Sequence, residues 1–324
     1  MDCSVPWLEG RPATQAPELG SLVRRAAERS SVGDSTGVTL WTAGPLECLG
    51  DQPWVVLGGG GLKGLAHVGA WQALQEAGVP VSGIVGTSIG GLVGACLAGG
   101  MGWRDLAPLA FAIRRGDIAR INRRALLFNG IRQESLLQAE PLREFIHAVL
   151  PVRSWDDLSI PLQINAVDLD TGDTVWFGTG ADTSISLEDA IYASAALPVF
   201  YPPLTVGGRT FVDGGVEFTL GLGRAAEQGA TGLVAIDVGS GRRSHAERVR
   251  EQGLIAIHQR IFSIMSWRKR HDLVRHWAEP PLLLVRPRLD GFGTFDFDET
   301  QYFLEEGYRA ARSALTRGVR SPGD

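Results

Sequence analysis

The chain has 324 residues, 44% apolar and 21% charged, a balance that suits one large folded domain or two small ones and excludes a disordered chain. A net charge of −5 supplies no global basic field, so nucleic acid is not an expected partner. Glycine, 42 residues or about 13% against a usual share of roughly 7%, follows no Gly-X-Y period and marks tight turns and close backbone approaches. Residues 1–53, rich in Pro, Gly, Ser and Thr, read as a partly disordered N-terminal extension. It holds a short helical stretch near Glu18–Ser30 and a strand near Val38–Thr42. No basic region followed by an apolar run opens the chain, so no signal peptide is expected and the protein is read as cytoplasmic. Cys3, Cys48 and Cys96 form no CxxC pair, which argues against a disulfide framework and a thiolate zinc site.

From Trp54 apolar strands alternate with helices, the pattern of a parallel α/β sheet covered on both faces. Trp54–Leu57 is a strand, Leu65–Ala77 a helix, Val81–Val85 a strand and Ile89–Ala98 a helix. The charge-free stretch Ala77–Trp103 is too broken by Gly, Pro80, Thr87 and Ser88 for a membrane span and reads as a buried strand, turn and helix. Trp103–Leu150 is helical with a basic insert. Leu162–Val167 and Thr174–Phe177 form a hairpin through the turn Asp170–Asp173, and Ser186 caps a helix with Asp189 in support. Thr210–Val212, Leu233–Val238 and Leu282–Val285 are further strands, with a long helical region at about 245–277. Asp298, with Gln301 as reciprocal partner, is expected to cap a last helix whose inner face is Phe303, Leu304, Tyr308, Ala311 and Leu315.

Three motifs fall at strand ends, where open α/β sheets place their sites. Gly86-Thr87-Ser88-Ile89-Gly90 is a GxSxG between a predicted strand and helix, the setting of a nucleophile elbow, although a glycine-assisted packing turn has the same look. Gly58-Gly59-Gly60-Gly61-Leu62-Lys63-Gly64 contains GxGxxG after a strand. A dinucleotide site would need an acidic residue about 20 positions on, and none lies between Glu76 and Asp105. Backbone N–H groups of consecutive glycines at a helix start converge on an anion, and beside a serine nucleophile that anion is a tetrahedral oxyanion. Asp213-Gly214-Gly215 is an ordinary turn by itself and gains weight as the partner that Ser88 lacks.

As a set and in this order, the motifs resemble those of the patatin-like phospholipases, with the bacterial branch especially similar. The segments Ala166–Gly172, Ala193–Pro198 and Asp290–Phe297 strengthen the likeness, which runs over roughly residues 54–318 and leaves 319–324 as a tail. The resemblance implies a three-layer α/β/α sandwich with a mainly parallel central sheet. It also implies a lipid acyl hydrolase of phospholipase A or lysophospholipase type, using a Ser–Asp dyad without histidine. By this match Ser88 is the nucleophile, Asp213 the proton acceptor and Gly59, Gly60 and Gly61 the oxyanion loop. Lys63, Gly64, Gly86, Gly90, Gly214 and Gly215 support these motifs. Lys63 stands where the family often has arginine, and Gly215–Thr219 replaces a common Asn-x-Pro stretch.

His67 reads as a packing histidine, and His245, His258, His271 and His276 as solvated or half-buried. No His, Asp and Glu set has metal-ligand spacing, so neither metal nor other cofactor is expected. Two basic stretches suggest peripheral contact with the anionic inner face of a membrane, solvated helix faces being the alternative. One contains Arg114, Arg115, Arg120, Arg123, Arg124 and Arg132; the other contains Arg260, Arg268, Lys269, Arg270 and Arg275. Acyl transfer to an acceptor other than water, and a catalytically silent lipid-binding module, are the rival functions.

Overall fold

The computed structural model describes residues 46–122, 133–239 and 246–317. The expected elements at 18–30 and 38–42, the tail 319–324, His245, Arg123, Arg124 and Arg132 lie outside them. Strand β1 (Pro53–Leu57) leads through a 3-10 turn (Gly61–Leu65) into α1 (Ala66–Glu76), β2 (Gly83–Gly86) and α2 (Ile89–Ala98). Helices α3 (Trp103–Ala112), α4 (Arg115–Ile118) and α5 (Ala139–Val149) precede the hairpin β3 (Leu162–Asp168) and β4 (Thr174–Gly178). Then follow α6 (Leu187–Ala195), β5 (Leu204–Val206), β6 (Arg209–Asp213), α7 (Leu222–Glu227) and β7 (Gly232–Ile236). Helices α8 (Ala246–Glu251) and α9 (Leu254–Arg275), β8 (Leu282–Val285) and α10 (Thr300–Arg317) complete the described chain.

The sheet order is β5-β6-β3-β2-β1-β7-β8, with β4 paired to β3. Strands β3, β2, β1, β7 and β8 are parallel, β4 and β6 each pair antiparallel with β3, and β5 pairs antiparallel with β6. All of β1 is buried because both faces are covered. Val55 and Leu57 pack in the core shared with α1, α2, α5, α6 and α10, whereas Trp54 and Val56 face Leu222 and Ala225 of α7 and Val274 of α9. This is the expected α/β/α sandwich. Helices α1 and α10 meet backbone to backbone, since a Cβ at Gly69 would overlap the Leu304 carbonyl and one at Gly307 the Ala66 carbonyl.

The charge-free stretch contributes β2 and α2, and no described helix is long and apolar enough to cross a membrane. Leu49, within the stretch read as an extension, is buried, and its carbonyl accepts a hydrogen bond from Thr231 Oγ1 (2.8 Å). Ser186 caps α6 as expected, accepting the Asp189 N–H at 3.0 Å. The expected Asp298 cap does not form. Asp298 sits inside a 3-10 turn (Phe297–Glu299), and Gln301 instead donates to Glu305. The long helical region divides at Gly253, whose φ of 82° ends α8 and starts α9.

One feature of the sheet positions the site. Strand β4 occupies one edge of β3 along residues 163–167. Strand β2, paired along 162–164, and β6, paired along 166–168, must therefore share the other edge. They approach from opposite directions and meet end to end, Gly86 opposite Ile164 and Asp213 opposite Ala166. The turn after β2 and the turn after β6 are thereby brought together.

Candidate active site

Ser88 lies between β2 and α2 with φ 55° and ψ −125°, a sparsely populated conformation for a residue with a side chain. Its N–H donates to Ser194 Oγ (2.7 Å), a fully buried hydroxyl at the end of α6. The flanking glycines are required by space. A Cβ at Gly86 would come within 2.5 Å of the Gly90 carbonyl, and one at Gly90 would overlap the Leu57 carbonyl. Gly64 leaves room in the same way for the Ile89 side chain. Val199, between the cavity-lining Pro198 and Phe200, is the other described non-glycine residue at positive φ (74°). Such strain concentrates at sites that bind or react.

Asp213 is 3% exposed and lines the same cavity as Ser88. Its N–H donates to the Ala196 carbonyl (3.0 Å), so the end of α6 holds the main chain of both Ser88 and Asp213. Oδ1 of Asp213 accepts the Gly215 N–H (2.6 Å). Burial pushes the carboxyl pKa up to about 7, against the opposing pull of that N–H and of a hydrogen bond with the Ser88 side chain. Gly214 leaves space for Asn165, and a Cβ at Gly215 would lie 2.9 Å from Asp213 Oδ1. Fully buried Asn165 joins the two turns: its Oδ1 accepts from Thr87 Oγ1 (2.8 Å), and its Nδ2 donates to the carbonyls of Gly214 (3.1 Å) and Phe218 (3.0 Å). Sequence reading missed Asn165 and the individual roles of Ser194 and Ala196, because each acts on residues far along the chain.

Of the three glycines expected to donate to an oxyanion, Gly59 is engaged, its N–H donating to the Thr219 carbonyl (3.2 Å). Among the described residues neither Gly60 nor Gly61 has such a partner for its N–H. Gly61 has φ 63° and faces Thr294, whose main chain a Cβ would approach to 2.5 Å. Gly60 is extended, and its lack of a side chain serves the close contact with Val238. The loop is held from two sides. His67 Nε2 donates to the Gly58 carbonyl (2.8 Å), and burial lowers the His67 pKa to about 4, so the ring is neutral and structural. The Leu62 N–H donates to the Thr294 carbonyl (2.9 Å), and Lys63 Nζ to the Phe292 carbonyl (3.4 Å), which explains the use of the segment Asp290–Phe297. Gly61→Val is expected to push the loop off Thr294 and to lower kcat on a soluble ester by about 10²–10³-fold, as loss of an oxyanion donor does. A kcat within threefold of the parent would remove this loop from the chemistry.

The cavity has two characters. Leu92, Leu142, Phe145, Ile146, Ile191 and Phe200 make an apolar wall from the helical layer. Lys63, His258, Gln259, Ser263 and Arg270 lie among its other lining residues. Burial, with Arg270 nearby, lowers the Lys63 pKa to about 8, and buried Arg270 pairs with Asp237 (3.0 Å). His258 lines the cavity from α9, with no partner for its buried Nδ1 among the described residues. His271 stacks on Trp267, and His276 Nδ1 bonds the Asp272 carbonyl. Among the described residues no group of three or more His, Cys, Asp or Glu side chains is arranged to hold a metal ion.

A family model described as patatin-like phospholipase matches residues 55–224, more than half of the chain. An uncharacterized NTE family protein of Mycobacterium tuberculosis is 33% identical over 184 residues, 57% of this chain and 48% of that protein. Lysophospholipase NTE1 of Coccidioides immitis is 27% identical over 288 residues, 83% of this chain and 18% of that protein. Patatin-like phospholipase domain-containing protein 6 of Mus musculus is 27% identical over 293 residues, 82% of this chain and 21% of that protein. The chain thus spans about half the length of the mycobacterial relative and about a fifth of the others. These relatives come from bacteria, fungi and mammals and do not single out a bacterial branch.

Proposed function

The chain belongs to the patatin-like phospholipase family, and on that premise we propose that it hydrolyses carboxylic esters of lipids, as a phospholipase A or lysophospholipase, through Ser88 and Asp213. The observation that carries this reading is the elbow serine sharing one cavity with a buried carboxyl whose pKa is about 7. A general base is most effective with a pKa near the working pH, and desolvation supplies that here. Ser88 Oγ attacks the ester carbonyl carbon while its proton passes to Asp213. The oxyanion so formed is met by the N–H groups of Gly60 and Gly61, the Gly59 N–H being engaged with Thr219. Collapse expels the alcohol, which takes the proton from Asp213, and leaves an acyl-enzyme on Ser88. Water, deprotonated by Asp213, then releases the fatty acid. The apolar wall of α2, α5 and α6 suits the acyl chain.

The test is labelling by a fluorophosphonate together with turnover of lysophospholipid, phospholipid and p-nitrophenyl esters. Modification of Ser88 and release of free acid are expected. Folded protein that neither labels nor turns over any ester would be a silent lipid-binding module. An ester or thioester product formed in preference to free acid, in the presence of alcohol or thiol, would replace hydrolysis by acyl transfer.

A further inference from the structure

Helix α9 has two distinct faces. His258, Phe262, Ser266 and Arg270, four residues apart, line the cavity. One row round the helix from these, Ile257, Ile261 and Met265 recur at a spacing of four and are 38%, 53% and 54% exposed, and Leu254, at the start of the helix, is 81% exposed. The buried residues of α9 are Ser266, Arg270 and Val274, all in its second half; the first three turns bury none. Between Leu254 and Met265 the one charged residue is Arg260. A contiguous apolar stripe of this kind marks an interaction surface, unlike the scattered apolar residues of an ordinary protein exterior.

The chemistry of the partner follows from what continues the stripe. Beyond Met265 it runs into Arg268, Asp272 and Arg275, all exposed. Lys269 beside them is latched to Glu217 (2.5 Å) and to the Val216 carbonyl, in the loop that follows Asp213. The stretch Gly253–Trp277 carries five bases against one acid, opposite in sign to the whole chain. An apolar half followed by a basic half matches a surface with an apolar interior and anionic head groups. We propose that this outer face of α9 docks on an anionic phospholipid bilayer. Leu254, Ile257, Ile261 and Met265 enter the acyl boundary, and Arg268 and Arg275 engage the head groups. Because the inner face of the same helix lines the cavity, docking sets the cavity beside the lipid, an arrangement that rests on the lipid-ester reading for its use.

The experiment is flotation of the full chain, carrying Ser88→Ala so that lipid is not consumed, with vesicles of phosphatidylcholine alone or mixed with phosphatidylglycerol. Binding at least tenfold stronger to the mixed vesicles, weakened by salt, is expected. Leu254→Ser with Ile261→Ser should lower that binding by about tenfold or more, the loss expected when two apolar side chains no longer enter the bilayer. Arg268→Glu with Arg275→Glu should remove the preference for the anionic vesicles. Thermal melts, and hydrolysis of p-nitrophenyl butyrate by the same variants with Ser88 intact, should match the parent. Equal binding of parent and variants, or no binding by the parent, overturns the proposal. So does a parental dimer, seen by light scattering, that the Leu254 and Ile261 substitutions split, since the stripe would then cover a second copy. Absence of ester hydrolysis by the Ser88 protein would refute the hydrolase reading and leave the vesicle result standing.

Discussion

Ser88→Ala is expected to remove fluorophosphonate labelling and to lower turnover of a soluble ester by a factor on the order of 10⁴–10⁶, as loss of a nucleophile does. The fold should be untouched, with a Tm within about 2 °C of the parent, because the substitution removes no core packing. The contact that fixes the turn is made by the main chain, from Ser88 N–H to Ser194 Oγ, and alanine keeps it. Alanine also keeps the strain of φ 55°. Ser88→Gly relieves that strain, which costs about 1–3 kcal/mol, and should raise the Tm by a few degrees while being equally inactive. Steady-state rates and melts on the three proteins decide this. A residue whose loss costs activity and gains stability is held for function. More than a tenth of the parental kcat in Ser88→Ala would take the nucleophile role away from this serine.

The legible part of the site was local in sequence. A run of strand, sharp turn and helix needs glycine two positions either side of Ser88, and Gly86 and Gly90 prove to be limited by the Gly90 and Leu57 carbonyls. Short apolar runs between turn residues likewise named seven of the eight strands among the described residues. Strand β5 escaped because it is three residues long, although Gly207-Gly208, both at positive φ, form a two-residue hairpin turn before β6. What could not be read is contact across distance. Nothing near Asn165 marks it as the bridge from Thr87 to Gly214, and nothing near Ser194 marks it as the acceptor for the Ser88 N–H. The Asp213 motif looks like any turn until β6 is seen on the same edge of β3 as β2. The spent N–H of Gly59 has the same origin, its partner Thr219 lying in the loop after Asp213. Histidines posed a related difficulty: helical position alone did not reveal that His258, unlike His271 and His276, faces the cavity.

Asp213→Asn separates a dyad from a triad and carries a signature in pH that a structural aspartate lacks. Its kcat/KM should fall by about 10²–10⁴-fold, the usual worth of a positioned general base. In the parent the working form is the carboxylate, so kcat/KM should rise through pH about 7 and level off above it. The same shift sets a stability effect of opposite sense. The folded pKa of about 7 stands above the ordinary 3.8, so the folded state holds the proton more tightly than the unfolded one. The stability linked to that proton is fully present below pH 3.8 and is lost as pH rises through about 7. Above that, the fold carries a buried carboxylate at a cost of about 4 kcal/mol. Asparagine keeps an oxygen for the Gly215 N–H and bears no charge. The variant should therefore melt several degrees above the parent at pH 8, with the gap closing as the pH falls toward 3.8. His258 is the one histidine that lines the cavity among the described residues. If Asp213 takes the proton, His258→Gln keeps at least a third of the parental kcat and leaves the rise near pH 7 in place. A normally folded His258→Gln that loses activity as completely as Ser88→Ala would make histidine the base in place of Asp213.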